Sequence, residues 1–391
     1  MPMSAPPAET WAERKILAAR FWRTALCFWR GRRAWWAWSL CAALLVLVLA
    51  QLGVQILLNF WNGAFFDALE RRDAEAVVFQ AKVFVPLVAM SVTLSALAVY
   101  TRMTTQRMWR AAVTRHVVGY WLSDNRFQRI GHVNSGSENP EYRISEDIRL
   151  ATDAPVDLVM AMVASVLTAL TFFGVLWSVG GSLDVKLFGT TWTIPAYLVI
   201  AVIIYSTLFT SVMVVVGRKL PRVIEQKNQA EARFRAAADL LRGQSGPDLE
   251  ADPCERRAIW TGIIGALYRW RELAWQLTQT TLVQQSNVLL APVVGWLLCV
   301  PKYLYGTMTL GELTQAAAAF VTVQAAFNWL VDNYNRLADW RSSAHRVATL
   351  LIAIDAAGPP GGEMDNGFNE AGGEKDTGGS EGNGAPANGA G

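Results

Sequence analysis

Six stretches of the chain are long and apolar enough, or nearly so, to cross a bilayer as helices: Ala34–Leu58, Phe84–Tyr100, Val156–Val179, Trp192–Val216, Leu282–Val300 and Leu310–Val331. A span needs about 20 largely apolar residues. The second is the shortest. The fifth begins with the polar "QQSN" of Gln284–Asn287, residues costly against lipid and better placed facing a cavity. Lys and Arg in the segments before, between and after these runs number seven, three, eight, one, eleven, one and four. High and low values alternate, as the excess of basic residues on the cytoplasmic side requires, so the expectation is six spans with both termini cytoplasmic. Trp35, Trp36, Trp38, Trp61 and Trp192 fall at expected span ends, where an amphipathic ring favours the headgroup layer. The first run is too long for a signal-peptide core, and "GRRAWW" from Gly31 fits a twin-arginine signal poorly. "NFWNGAFFDALERRD" then continues as an amphipathic helix, so an uncleaved anchor is expected.

The rest of the composition excludes several classes. A net charge of +3, with basic residues recurring between apolar runs and not gathered in one stripe, gives no nucleic-acid footprint. Cys27, Cys41, Cys254 and Cys299 show neither CxxC nor zinc spacing, and His116, His132 and His345 form no metal-binding pattern. No metal, cofactor or disulfide framework is expected. With no hydrolytic triad or paired catalytic carboxylates in view, the chain does not read as an enzyme. From Ala357 to Gly391 the sequence carries six acids, one Lys and many glycines with few aliphatic side chains. Burial there cannot offset ordering entropy, which predicts a disordered acidic tail.

The two inside connections, Thr101–Pro155 and Gly217–Thr281, each exceed fifty residues, whereas "GGSLDVKLFGTT" and "PKYLYGTMT" are short outside links. Helical spacing of Met108, Ala111, Ala112, Val118 and Trp121 carries the second span on into the cytosol. "EQKNQAEARFRAAADLLRG" does the same after the fourth, ending on Gly243 as a C-cap. "GQSGPDLEADP" is then a loop, and helix resumes near Glu255. At the bottom of the first hairpin, Asn139 suits an N-cap and Pro140 the first helical position. Asn139–Arg149 is therefore expected as a short tip helix, with Pro155 starting the return span. Arg143, Glu146 and Asp147 lie on one turn of that tip.

The blocks "NFWNGAFFDALERRD", "YWLSDNRFQRI" with "NPEYRISEDIRLATD", "GRKLPRVIEQKNQAEARFR" and "LGELTQAAAAFVTVQAAFNWLVDNYNRLADWRSSAHRV", in this order over residues 15 to 350, resemble the SbmA/BacA family of bacterial inner-membrane peptide-uptake proteins. They resemble equally the permease-ATPase proteins related to it. The resemblance implies an all-α membrane protein: a cytoplasmic arm over residues 1–33, a six-helix transport domain over 34–350 with the type IV, ABC exporter-like plan and long cytoplasmic extensions, and the tail over 357–391. It implies a homodimer in the bacterial inner membrane that imports peptides on the proton gradient. No GxxxxGK[ST] phosphate loop occurs in the sequence, so ATP hydrolysis by this chain is not expected. The stretch after "EARFR", broken by turn residues, departs from the pattern.

A proton-coupled carrier needs carboxylates with a pKa raised by desolvation. Glu225 and Glu231 lie in a family-like block after the fourth span; the alternative for them is an exposed face paired with Lys227 and Arg235. Asp153 and Asp157, four apart at the entrance to the third span, share a face, but helix capping accounts for them equally well. Asp332, just past the sixth span, completes the set. Glu146 and Asp147 belong to an "ED" motif shared by proton-driven and ATP-driven relatives, and with Arg143 they suit a coupling role. Glu312 reads as the capping-box partner of Thr309, and His116 and His132 as surface groups. Two other functions stay open: a permease subunit with an ATPase on a separate chain docked at Asn139–Arg149, and a membrane scaffold whose acidic tail recruits a partner.

Overall fold

The computed structural model describes residues 11–31, 34–130, 140–187, 190–244 and 253–357. Asn139, His132, residues 245–252 and the tail beyond Ala357 lie outside them. The described chain is almost entirely helical, in the order α1 (Trp11–Ala25), α2 (Cys27–Arg30), α3 (Ala34–Glu70), α4 (Ala74–Leu122), a 3-10 turn (Ser123–Asn125), α5 (Arg126–Ile130), α6 (Pro140–Tyr142), a π-turn (Arg143–Asp147), α7 (Ile148–Gly180), β1 (Ser182–Leu187), β2 (Thr190–Pro195), α8 (Tyr197–Gly217), α9 (Leu220–Gln244), α10 (Pro253–Leu304) and α11 (Leu310–Ala356).

Among the described residues, five helical runs are long and apolar enough to cross a membrane, and at most 22% of the most apolar window of any of them is buried within the chain. In the run that starts at Ala74 nothing in that window is buried. Val46, Val92, Ile204, Leu208, Val288 and Leu289 stand with more than half of their surface free. In water such a surface would drive association; in hydrocarbon it is the solvated face. The fold is thus that of a multi-pass membrane protein. The residues of the sixth expected span are helical, in the first half of α11, but Thr314, Gln315, Gln324 and Asn328 interrupt the apolar run, and length and composition do not mark it as a span.

Three expectations need correction. The link after the third span is not an irregular loop: β1 and β2 form an antiparallel hairpin pairing Ser182 with Pro195 through to Leu187 with Thr190. Alternation in "SLDVKL" and β-branched residues in "TTWTIP" favour strand. Trp192 consequently lies in β2, and the fourth membrane helix begins at Tyr197, after Ala196 turns the chain at φ 52° and donates its N–H to the Gly181 carbonyl. The tip is not a separate helix either. Pro140 to Gly180 is one helical run of 41 residues containing the π-turn, and Pro155 sits inside it. Proline cannot donate to the carbonyl four residues back; the Trp340 indole N–H takes that Ala151 oxygen instead, at 3.3 Å. Lastly, Gly243 does not end its helix, which continues through Gln244.

The chain divides into two compact units. One holds the described residues up to Trp38, Trp109–Arg149 and those from Ser343 onward; the other holds Ser39–Met108 and Leu150–Ser342. The second unit has the main apolar core, with Phe172 and Leu176 of α7, Leu198 and Val202 of α8, and Leu313 and Phe320 of α11 all but sealed. In this unit α3 and α11 cross at Gly63 and Gly311. A Cβ built on Gly311 would run into the Gly63 carbonyl and the Asp67 carboxylate. Gly311→Ala is therefore expected to destabilise the protein by about 1–3 kcal/mol as helices forced apart lose their contact, read as a lowered thermal unfolding midpoint in detergent. An unchanged midpoint would mean that the crossing tolerates a side chain.

Candidate functional site

The tip residues lie in the first unit. Asp147, only 2% exposed, accepts a forked pair of hydrogen bonds from Arg346 of α11: Nε at 2.9 and 3.0 Å and Nη2 at 2.7 Å. Burial makes the pairing obligatory, since an isolated ionised carboxylate is costly away from water. Glu146 is paired with Arg149 one turn on, through Nε at 3.0 Å and Nη2 at 2.5 Å. That hydrogen bond first, then the charges of Arg149 and Arg110, lowers its pKa below the ordinary carboxylate value. Arg110 of α4 donates to the Ser145 carbonyl at 3.2 Å, and Arg143 is half-buried. "ED" thus divides into a buried anchor and a solvated ion pair.

A second cluster in this unit joins α1 to α11. Asp355 accepts Arg20 Nε and Nη2, both at 2.7 Å, and the Tyr120 hydroxyl at 2.5 Å. Arg126 lies over the Tyr120 ring at 4.1 Å. Burial, then the hydrogen bond to Asp355 and its charge, raises the Tyr120 pKa. His116, expected at the surface, is half-buried, and burial with the charge of Arg20 lowers its pKa.

In the second unit the carboxylate of Asp157 on α7 is shared among helices. Gln106 of α4 donates to it at 2.7 Å, Arg336 of α11 at 2.7 Å, and Arg102 of α4 lies at 3.4 Å. The Gln106 amide also donates to the Asp153 backbone carbonyl at 3.0 Å. Asp332 is four residues before Arg336 and hence on the same side of α11; it lies on an exposed face, and partial burial pushes its pKa up.

The other two candidates sit apart from this node. Glu231 on α9 is ion-paired with Lys227 at 3.2 Å and Arg235 at 3.6 Å, and accepts the Trp270 indole N–H at 3.0 Å. The Lys227 and Trp270 hydrogen bonds lower its pKa, the reverse of the shift expected. Glu225 is exposed and accepts a hydrogen bond from Gln229 at 2.9 Å. The alternative arrangement, a charged helix face with Lys227 and Arg235 as partners, is the one present around Glu231. Of the "QQSN" residues, Asn287 is buried and accepts the Tyr205 hydroxyl at 3.0 Å, while Gln284, Gln285 and Ser286 are not buried. Nothing in the sequence alone singles out Arg346, Arg336, Arg102 or Gln106, although both α11 arginines lie in the block from Leu310 to Val347.

An α-helical, multi-pass chain with charged nodes joining its helices is the class these features define. Residues 32–354 match the SbmA/BacA-like family, and the chain belongs to that family. It is 25% identical over 342 residues to the inner membrane ABC transporter ATP-binding protein YddA of Escherichia coli, covering 85% of this chain and 60% of that protein. An uncharacterized ABC transporter ATP-binding protein of Synechocystis is 22% identical over 85% of this chain and 48% of its own length. The chloroplastic ABC transporter D family member 2 of Arabidopsis thaliana is 20% identical over 88% of this chain and 47% of that protein. The chain thus spans about half to three fifths of the length of these relatives.

Removing one partner of a buried pair exposes its worth. Arg346→Ala, which strands Asp147, is expected to cost about 2–4 kcal/mol, allowing for the 41% exposure of the arginine side chain. Adding Asp147→Ala should recover part of that loss. Thermal unfolding of Arg346→Ala, Asp147→Ala and the double variant checks it; a double-variant loss equal to the sum of the two single losses would show that the pair is not coupled.

Proposed function

We propose that the protein is a transporter of the bacterial inner membrane, not an enzyme, that works as a homodimer of six-span protomers with cytoplasmic termini and imports peptides or peptide-like compounds on the proton gradient. Family membership supports the transporter class, and the alternation of basic residues supports the orientation. The observation that carries the coupling is the Asp157 node, where one carboxylate holds α4 and α11 through Arg102, Gln106 and Arg336.

Adding a proton to Asp157 would remove the negative charge that these donors share, and charge-assisted bonds are roughly twice as strong as neutral ones. Arg336 would then be free to turn to Asp332, its neighbour four residues back. Proton uptake at Asp157 and release of the Arg336 link between α11 and α7 are in this way two descriptions of one event. Asp157 becomes the first coupling residue, with Asp332 its exchange partner. Glu225 and Glu231 take a supporting place on the charged face of α9.

A second reading stands because two of the relatives are called ABC transporter ATP-binding proteins. In it the chain is the permease part of a transporter whose ATPase lies on a separate chain and meets the Arg143–Asp147 turn. Uptake of a labelled peptide into liposomes holding the purified protein, without nucleotide and with an imposed inward proton gradient, separates the two. Gradient-driven uptake lost at least about tenfold in Asp157→Asn supports proton coupling through this node. Uptake that begins only when an ATPase chain and ATP are supplied selects the second reading.

A further inference from the structure

Asn59, Gly63, Asp67 and Glu70 follow one another at four-, four- and three-residue steps along α3 and so share a face. Each meets the start of α11. The Asn59 amide donates to the Gln315 carbonyl at 3.1 Å, Gly63 touches Gly311, the Gly311 N–H donates to Asp67 Oδ1 at 2.8 Å, and the Leu310 N–H donates to Glu70 Oε2 at 2.9 Å. The seam is uncharged at its deep end and closes, at its far end, on two carboxylates that cap another helix.

Those first N–H groups have no partner inside α11, and the helix dipole adds to their attraction for negative charge. Thr309 and Glu312 already form the capping box, with Thr309 N–H on Glu312 at 3.0 Å and Glu312 N–H on the Thr309 hydroxyl at 3.1 Å. Asp67 and Glu70 take the two N–H groups that the box leaves over, those of Leu310 and Gly311. Because both carboxylates come from α3, these bonds tie α3 to α11. Glu70 also lines an open cavity of about 680 Å³, with Arg71, Tyr303, Thr307, Thr309 and Glu312.

We propose that Asp67 and Glu70 are the latch of the transporter's outer mouth, holding the end of α3 on the start of α11, and that protons arriving from the outer side release it. This rests on the proton-driven reading with cytoplasmic termini, which puts the end of the first span and the start of the sixth on the outer side. The charged and titratable groups around the latch are Arg71 in the turn after α3, Tyr303 at the end of α10, whose phenol hydrogen-bonds to Glu70, and Glu312 on α11. Lys302 is turned away, to the Gly180 carbonyl at 2.5 Å. A proton on Asp67 or Glu70 replaces a charge-assisted bond by a neutral one of about half its strength and removes the attraction of the helix end. Below the latch the Asn59–Gln315 bond, the glycine contact and the packing of Leu52 and Ile56 on the core remain.

The test is a distance, and it does not need transport. Spin labels at Leu69 and Tyr305, both exposed and neither in the latch, are placed on full-length protein in lipid nanodiscs, with the native cysteines replaced. The short-distance population should dominate at about pH 8 and give way to a longer one only as the pH falls to about 4, where ordinary carboxylates are about half protonated. The Asp67→Asn, Glu70→Gln double variant should show the longer distance at both. Glu312→Gln, which keeps a capping-box side chain, should behave as the unaltered protein and so reports that the helix start is still folded. A separation that ignores pH in the unaltered protein, or a double variant that stays closed with an unfolding midpoint like that of Glu312→Gln, overturns the latch. If the distances change with pH while the liposomes show no gradient-driven uptake, the latch stands and the proton-driven reading falls. Gradient-driven uptake with invariant distances removes the latch and leaves the proton-driven reading standing.

Discussion

Hydrogen-bond satisfaction without water governs most of what this chain can be. Inside hydrocarbon every backbone N–H and C=O must find a partner within the protein, so the apolar runs are helices and even the exceptions are repaired. Pro155 frees the Ala151 carbonyl inside the run from Pro140 to Gly180, and the Trp340 indole occupies it. The N–H groups at the start of α11 are taken by Thr309, Asp67 and Glu70. Asp73, at the turn between α3 and α4, caps the latter through the N–H groups of Glu75 and Ala76, both at 3.1 Å. Such repairs place polar side chains where elements meet, and the charged nodes grow from the same places.

The same economy explains why the charges are in pairs. Asp147 with Arg346, Asp355 with Arg20 and Tyr120, and Asp157 with Arg102 and Arg336 are each a carboxylate from one element held by cations or hydroxyls from others. None is strongly stabilising in net terms, because desolvation offsets attraction. What they contribute is selectivity among helix arrangements: a helix displaced by one turn would leave a carboxylate without its partner. In a protein that has to change shape, a contact whose loss is costly only while its charge remains is well suited to control.

Local signals in the sequence are reliable and distant ones are silent. Helical runs through α3, α4 and α10, the amphipathic continuation after the first span and the Thr309–Glu312 capping box all follow from residues within a few positions of each other. The hairpin escapes such a reading because "SLDVKL" and "TTWTIP" lie between strong apolar runs and merge into a link and a span end. Pro155 reads locally as a helix start, since nothing near it reveals that Trp340 supplies the missing donor. Arg346 and Asp147 are 199 residues apart, and Leu310 and Glu70 are 240. Periodicity gives the face of a helix but does not name the helix opposite, so Asp157 is recognisable as a candidate while its arginines are not.

The hairpin between α7 and α8 has a kinematic consequence. Its six paired positions and the Ala196 N–H to Gly181 carbonyl bond leave almost no slack between the ends of the two helices. A three-residue turn, Arg71–Asp73, with Arg72 at φ 56°, joins α3 to α4, and Tyr305–Thr309 joins α10 to α11 by way of Gly306 at φ 70°. Neither carries a ladder of bonds. The α7–α8 connection thus ties two helix ends through a strand ladder, whereas the α3–α4 and α10–α11 links, bonded back to Asp67, Ala68 and Leu69 and to Pro301, Lys302 and Tyr303, each move with the helix that precedes them.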